Sequence, residues 1–411
     1  MSIALYRLLI SMYGAILYIA SFFKPKAKLF ISGRKGLLQR MRQLLAQEQR
    51  PRIWMHCASL GEFEQGRPVL EKLRQQYPHY AFVITFFSPS GYEVRKNYDG
   101  ADYVFYMPLD SPSNARDFID IVQPRLCIFV KYELWYYYLS QLATRNIHII
   151  LISAIFRKDQ LFFSWYGHLP RRMLQCISHI FVQNAESEKM LQEIGITNVS
   201  ISGDTRFDRV IEAVSHKEDL PIAQLFCKKY KVIVAGSTWA EDEVFLHKAL
   251  QLLPGDWKLL LVPHEVHAAH IRDIEKLFAN DITCWSDNQP DLNKRVLVVD
   301  RVGLLLQLYK YGRIAWVGGG FGKEGVHNVL EAAVYGMPCA YGPVWHQFIE
   351  AQQLIDAKGA ITTSHPEVFV KQLLQWDDEE TYTHAAHAAK AYVIQNGGAT
   401  DLILQYLQGQ V

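Results

Sequence analysis

Cysteine is sparse and never paired for chemistry in this sequence. The six residues at 57, 127, 176, 227, 284 and 339 form no CxxC and no finger-like pattern with histidine. That excludes a disulfide framework and a zinc finger, and fits reduced thiols in the cytosol. Charge excess is lacking too: 43 basic against 41 acidic side chains leave a net charge of +2, which excludes a dedicated nucleic-acid binder. There is no HExxH, no DxD-like acidic pair where a metal diphosphate would need one, and no short repeat or low-complexity tract. In Pro263-His264-Glu265-Val266-His267 the two histidines have one carboxylate for company, too few ligands for zinc. No metal and no cofactor are expected.

Half of the 411 residues are hydrophobic and a fifth are charged, a globular balance in a chain too long for one core, so two domains are expected. Residues 3–23 are apolar over about the length that crosses a bilayer, interrupted only by Arg7. Lys24, Lys26, Lys28, Arg34 and Lys35 follow at once, which would keep the rest of the protein on the cytoplasmic side. A single span with Arg7 snorkelling and an amphipathic helix lying in the interface both fit. A signal peptide fits poorly, for want of a small-x-small cleavage site.

Beyond this start, short apolar β-rich runs alternate with helical patterns. Strands are expected at 53–58, 82–87, 103–106, 126–130, 147–153 and 179–183, then at 232–235, 259–262, 296–299, 314–317 and 339–341. The rhythm implies α/β domains with parallel sheets covered on both faces. It restarts around a polar, proline-containing stretch within 205–225. The domains are therefore an anchor at 1–28, an N-terminal domain at 29–210, a C-terminal domain at 211–395, and a helix at 396–411 returning to the N-terminal domain.

Polar clusters fall just after expected strands, where doubly wound sheets bind ligands. The richest is Gly318-Gly319-Gly320-Phe321-Gly322-Lys323-Glu324-Gly325-Val326-His327-Asn328-Val329-Leu330-Glu331. It reads as a strand ending in glycines that feed a helix, where amides and the helix dipole would hold a phosphate. At i, i+1 and i+4, His327, Asn328 and Glu331 would share one helix face, with Glu331 accepting from ribose hydroxyls. An ordinary glycine turn is the alternative. Ser59-Leu60-Gly61-Glu62 places a carboxylate in a first helical turn, either as a base or as half of a capping box. Glu133, after the strand at 126–130, is a second acid or simply a dipole partner. Ser237 and Thr238 suit a phosphate, while Thr238-x-x-Glu241 is again a capping-box pattern. Ser88, Ser90 and Gly91 offer hydroxyls and a turn, and Arg157 a cation.

These stretches occur in order as GRKG (33–36), ASLGEFEQ (58–65), SPSG (88–91), YELW (132–135), GDTRFD (203–208), GSTWAEDE (236–243), GGGFGKEGVHNVLEAA (318–333) and GP (342–343). Together they resemble the 3-deoxy-D-manno-octulosonic acid (Kdo) transferases of lipopolysaccharide synthesis. The resemblance implies a GT-B fold, with two Rossmann-like domains facing a central cleft, and membrane association through the N-terminus at the cytoplasmic face of the inner membrane. It implies metal-independent, inverting transfer of Kdo from CMP-Kdo to a lipid A precursor, with Glu62 as general base and Glu133 as a second essential acid. It places CMP on Ser237, Thr238, Pro263, His264, Glu265, Gly318, Gly319, Gly320, Phe321, Gly322, Gly325, His327, Asn328 and Glu331. Arg34, Lys35, Ser59, Gly61, Ser88, Ser90, Gly91 and Arg157 are the expected acceptor side. VPHEVH stands where the family usually reads like PRHPER, and Tyr136 replaces a proline after ELW. Another GT-B nucleotide-sugar transferase or epimerase is the alternative, and a non-enzymatic membrane-tethered nucleotide-binding module a more distant one.

Overall fold

The computed structural model describes residues 2–214 and 219–410. Residues 215–218, part of the polar stretch expected between the two halves, lie outside the described residues. The chain divides into two compact units, Met1–Arg209 with Gly397–Val411, and Val210–Asn396.

In the first unit, β1 (Arg52–Cys57), β2 (Ala81–Phe86), β3 (Tyr103–Tyr106), β4 (Pro124–Val130), β5 (His148–Ala154), β6 (His179–Val182) and β7 (Val199–Ile201) form a parallel sheet ordered β3-β2-β1-β4-β5-β6-β7. Alternation along β1 shows why the run is apolar on both faces apart from Arg52 and His56. Trp54 packs with Val83, Phe118 and Phe129 on one face, while Ile53 and Met55 pack with Ile84, Leu70 and Ile128 on the other. The helix Ala399–Leu407 closes the second face through Ile403, Leu404 and Leu407. Asp208 holds its start, accepting from the N–H groups of Gly398 and Thr400, each at 2.6 Å.

The second unit repeats the plan with β8 (Lys231–Thr238), β9 (Trp257–Pro263), β10 (Ile282–Cys284), β11 (Val296–Val298), β12 (Ile314–Val317), β13 (Cys339–Tyr341) and β14 (Ala360–Thr362), ordered β10-β11-β9-β8-β12-β13-β14. Strand order reverses beside β1 and beside β8. The carboxyl ends of β1/β4 and of β8/β12 are therefore the switch points where such sheets open a ligand crevice. Each unit is thus a Rossmann-like, doubly wound sheet, as the GT-B expectation requires.

Three of these strands, β7, β10 and β14, have no counterpart among the expected runs. Each is three residues long and lies at a sheet edge. An edge strand needs no continuous apolar run, and Val-Ser-Ile, Ile-Thr-Cys and Ala-Ile-Thr do not stand out from loops.

The N-terminal helix α1 (Ile3–Ala20) is long and apolar enough to cross a membrane, and Leu8, Ile16 and Ile19 are exposed on it. One side is docked. Tyr6 is buried, and its hydroxyl donates to Asp110 at 2.5 Å. The same carboxylate accepts from the N–H groups of Tyr137 and Tyr138, at 3.1 and 3.2 Å, in the first turn of the helix Tyr136–Thr144. Tyr6→Phe removes one charge-assisted donor, a loss of about 1–3 kcal/mol. Faster proteolytic cleavage within α1 in detergent is the expected result, and an unchanged rate would show that α1 is held by packing alone.

Candidate active site

The first switch point carries the acids. β1 delivers His56 and Cys57, and the chain turns into the helix Leu60–Gln76 with Ser59 at its N-cap. The Ser59 side chain caps nothing. Glu62 instead reaches back, its carboxylate accepting from the N–H of Ala58. Ala58 precedes the N-cap, so this bond, on the same carboxylate that was the candidate base, is displaced by one residue from the capping-box bond to the Ser59 amide. Burial, then the neighbouring Glu133 charge, raise the Glu62 pKa to about 7 against the opposing backbone bonds. A carboxyl so placed is tuned for proton transfer at neutral pH.

Glu133 is not in a first helical turn, as the dipole-partner alternative requires. It stands in the loop between β4 and the helix that starts at Tyr136, after Lys131 at φ 62°. Two side chains hold it: Trp135 Nε1 donates to its Oε2 at 2.9 Å, and His56 Nε2 lies 3.3 Å from the same oxygen. His56 is fully buried, with Nδ1 2.8 Å from the Thr85 hydroxyl, which also accepts from Trp54 Nε1 at 2.8 Å. Because a carboxylate only accepts, His56 Nε2 carries a proton toward Glu133. Sequence reasoning assigns His56 no role. The available signal is a histidine inside an otherwise apolar buried strand, which has to find a partner.

The expected acceptor residues sort by their surroundings. Gly61 has open space where a Cβ would stand, whereas at Gly91 a Cβ would meet the Phe86 ring at 2.2 Å, which makes that glycine a packing requirement. Ser88 caps the short helix Pro89–Arg95, accepting from Ser90 N–H at 3.3 Å and lying 3.0 Å from the Ser90 hydroxyl. Arg34 donates to the carbonyls of Met107, Phe87 and Phe30 at 2.8, 2.6 and 3.1 Å, and stacks on Phe30. It ties the loops after β2 and β3 to the helix Pro25–Arg34, and burial lowers its pKa to about 10. Lys35 and Arg157 are exposed, Arg157 lying 3.9 Å from Asp159.

The second switch point carries the glycine loop, in a different form from the expected one. The helix does not begin among the glycines. It is a single turn, Leu330–Ala333, and His327 and Asn328 precede it. Asn328 Oδ1 accepts from Leu330 N–H at 3.2 Å, and its Nδ2 donates to Glu331 at 3.0 Å, so an Asx turn starts the helix late. A Cβ on Gly318 would lie 2.3 Å from the Ser237 carbonyl oxygen, and one on Gly320 would lie 2.5 Å from Gly342 N. These glycines let three strand-end loops pack backbone to backbone. Gly319 and Gly325 have φ of 89° and 80°, which needs glycine for the turn itself. The Phe321 ring packs on Phe245 and Trp316.

Ser237 and Thr238 end β8 rather than opening a helix. The reciprocal bond of the next helix, Ala240–Leu252, is shifted by one residue from the expected Thr238/Glu241 pair. Asp242 accepts from Trp239 N–H at 3.0 Å, while Thr238 donates to Glu243 at 3.1 Å. Asp242 is fully buried and also accepts from Gly319 N–H at 2.9 Å and Trp316 Nε1 at 3.0 Å. One amide of the phosphate-binding candidate is thus already committed. Pro263 ends β9, His264 N–H donates to the Thr238 carbonyl at 2.9 Å, and Glu265 lies out beside His267 at 3.2 Å. The His264 ring stacks on Trp239 and on His327, with centroids 4.7 and 4.6 Å away. Among the described residues no group of three or more His, Cys, Asp or Glu could hold a metal ion.

A family model for 3-deoxy-D-manno-octulosonic-acid transferase (kdotransferase) matches residues 34–209. The chain is 31% identical over 379 residues to the 3-deoxy-D-manno-octulosonic acid transferase of Haemophilus influenzae, covering 87% of this chain and 88% of the relative. It is 28% identical over 320 residues to the protein of the same name from Aquifex aeolicus, covering 75% and 80%. Among solved structures, the UDP-GlcNAc 2-epimerase of Neisseria meningitidis superposes with a TM-score of 0.61 over 87% of this chain and all of that one, at 17% identity. Acinetobacter baumannii MurG does so at 0.55 over 88% and 99%, at 13% identity. Those two likenesses speak for the fold alone. With the acids and the glycine loop at its two switch points, the chain belongs to the 3-deoxy-D-manno-octulosonic acid transferase family and is a glycosyltransferase.

Proposed function

We propose that the protein transfers Kdo from CMP-Kdo to a lipid A precursor at a membrane surface, by a single inverting displacement without a metal ion. The observation that carries this reading is the pair of acids at the first switch point, Glu62 in the helix after β1 and Glu133 in the loop after β4, with burial and the Glu133 charge raising the Glu62 pKa. As the acceptor hydroxyl oxygen bonds to the anomeric carbon, Glu62 takes its proton, and the bond from that carbon to the CMP phosphate oxygen breaks. CMP leaves with the bonding electron pair. Its one phosphate needs fixed donors rather than a cation, and Ser237, Thr238 and the loop 318–328 are the proposed source. Glu331 is the proposed ribose ligand, and Pro263, His264 and Glu265 border the same site. Gly61, with open space above it, and Ser59, Ser88 and Ser90 are the proposed acceptor positions, with Lys35 and Arg157 for acceptor phosphates. The exposed apolar face of α1, followed by Lys24, Lys26 and Lys28, suits an anionic leaflet. We place the catalytic units on the cytoplasmic face of the inner membrane.

Purified protein is expected to convert CMP-Kdo and a lipid A precursor to Kdo-bearing lipid in the presence of EDTA, as read by mass spectrometry. No product from folded protein would overturn the substrate assignment. Activity abolished by the chelator and restored by a divalent cation would overturn the metal-free step.

A further inference from the structure

Three rings from three strand-end loops meet at the second switch point. Trp239 follows β8, His264 follows β9, and His327 follows the glycine loop after β12. His264 lies nearly parallel to both neighbours, at 26° to Trp239 and 19° to His327. Trp239 and His327 are themselves only 12° apart in plane, with Trp239 Nε1 2.9 Å from His327 Nε2. An indole nitrogen donates and never accepts. The nitrogen facing it therefore holds a lone pair and no proton. A singly protonated imidazole has one other place for its hydrogen, Nδ1.

We infer that Trp239 is a positioning residue that locks His327 as the neutral Nδ1–H tautomer, so that this histidine offers CMP-Kdo a hydrogen-bond donor and no charge. The inference rests on the donor-site reading given above. The Cδ2–Nε2 edge of His327 lies against Gly319, where a Cβ would come within 2.8 and 3.1 Å of it. The Nδ1 edge is on the other side of the ring and has no bonding partner among the described residues. Burial, with His264 adding to it, lowers the His327 pKa to about 4, in the sense the indole contact requires. The acceptor chemistry that fits a neutral N–H is a phosphate or carboxylate oxygen already balanced elsewhere, and both groups occur on a CMP-activated keto acid.

Nitrogen-15 NMR of histidine-labelled full-length protein in detergent reads the tautomer directly, with the His327 signals identified by their loss in His327→Ala. The expected wild-type spectrum shows a protonated Nδ1 and a bare Nε2, unchanged between pH 6 and 8. In Trp239→Phe, where the stacked ring remains but the donor is gone, a protonated Nε2 is expected. CMP should bind that variant about 3- to 10-fold more weakly, the worth of one mispresented hydrogen bond. A protonated Nε2 in wild type, or a titration near pH 6.5, would overturn the lock. So would a Trp239→Phe protein that keeps the wild-type tautomer. The wild-type spectrum decides the matter even if Trp239→Phe fails to fold. If the tautomer is as inferred but wild type does not bind CMP, it is the donor-site reading that falls.

Discussion

Glu62→Gln is expected to reduce transfer by about a hundred- to ten-thousand-fold while leaving a folded and, at alkaline pH, more stable protein. The first effect is the usual worth of a positioned general base. The second follows from the same environment. Burial and the Glu133 charge raise the pKa from 4.5 to about 7, so between those values the folded state holds a proton that the unfolded state has released. Stability must fall as pH rises through that window. Glutamine carries no charge at any pH and keeps a carbonyl oxygen for the Ala58 amide, so the loss disappears. After allowance for the partial exposure of Glu62, the gain above pH 7 is about 1–2 kcal/mol. Thermal denaturation at pH 5 and pH 8 measures it, and a variant less stable than wild type at both would show that the carboxylate serves the helix cap alone.

The pH profile of kcat/KM separates the two glutamates. A base must be ionised, so activity should rise through pH 7 as Glu62 loses its proton. Glu133→Gln removes the nearby negative charge that helps to hold the proton on Glu62, and the acid limb should move to lower pH whatever happens to the maximal rate. A limb that stays at 7 would leave burial as its only cause.

How much of this could be read from sequence divides along physical lines. Central strands announce themselves because both faces are buried, and the expected bounds of β12 and β13 coincide with those in the structure. Edge strands do so unevenly: β3 is expected at its observed bounds, while the three-residue β7, β10 and β14 are not. The order of the motifs carries the family, since each strand-end loop keeps its residues for reasons local to that loop. Tertiary partners are another matter. His56 is bonded to Thr85, 29 residues away, and lies beside Glu133, 77 away, and no spacing rule joins them. The glycine run was legible as a site of close approach but not as to what approaches: at Gly318 and Gly320 it is the protein's own backbone. The late helix start is invisible for a related reason. Glycines at positive φ cannot continue a helix, and Asn328 supplies the turn that replaces them. Asp242 stays hidden because its N-cap partner is a tryptophan, a residue outside the capping vocabulary.

Asp242→Asn should accordingly be among the most damaging conservative changes in the second unit. Two main-chain N–H groups, from Trp239 and Gly319, converge on Oδ2, and the Trp316 indole on Oδ1. All three partners are donors. An amide offers one oxygen, so whichever way it turns, its NH2 group faces at least one donor in a fully buried place. Turning the oxygen to the Oδ2 side strands the indole, and the opposite choice strands both backbone amides. Losing at least one charge-assisted bond and burying an unmatched donor costs about 3–5 kcal/mol, a large part of the stability of a unit this size. Alanine, which removes the carboxylate and opposes no donor with another, is expected to cost about as much or slightly less. The carboxylate also pins Gly319, so the loop should shift before the unit unfolds. The expected observation is a loss of CMP binding in Asp242→Asn at temperatures where circular dichroism still reports native secondary structure, followed by melting well below wild type. Wild-type CMP affinity in a destabilised Asp242→Asn would mean that the glycine loop is held by its contacts with Ser237 and Gly342 alone.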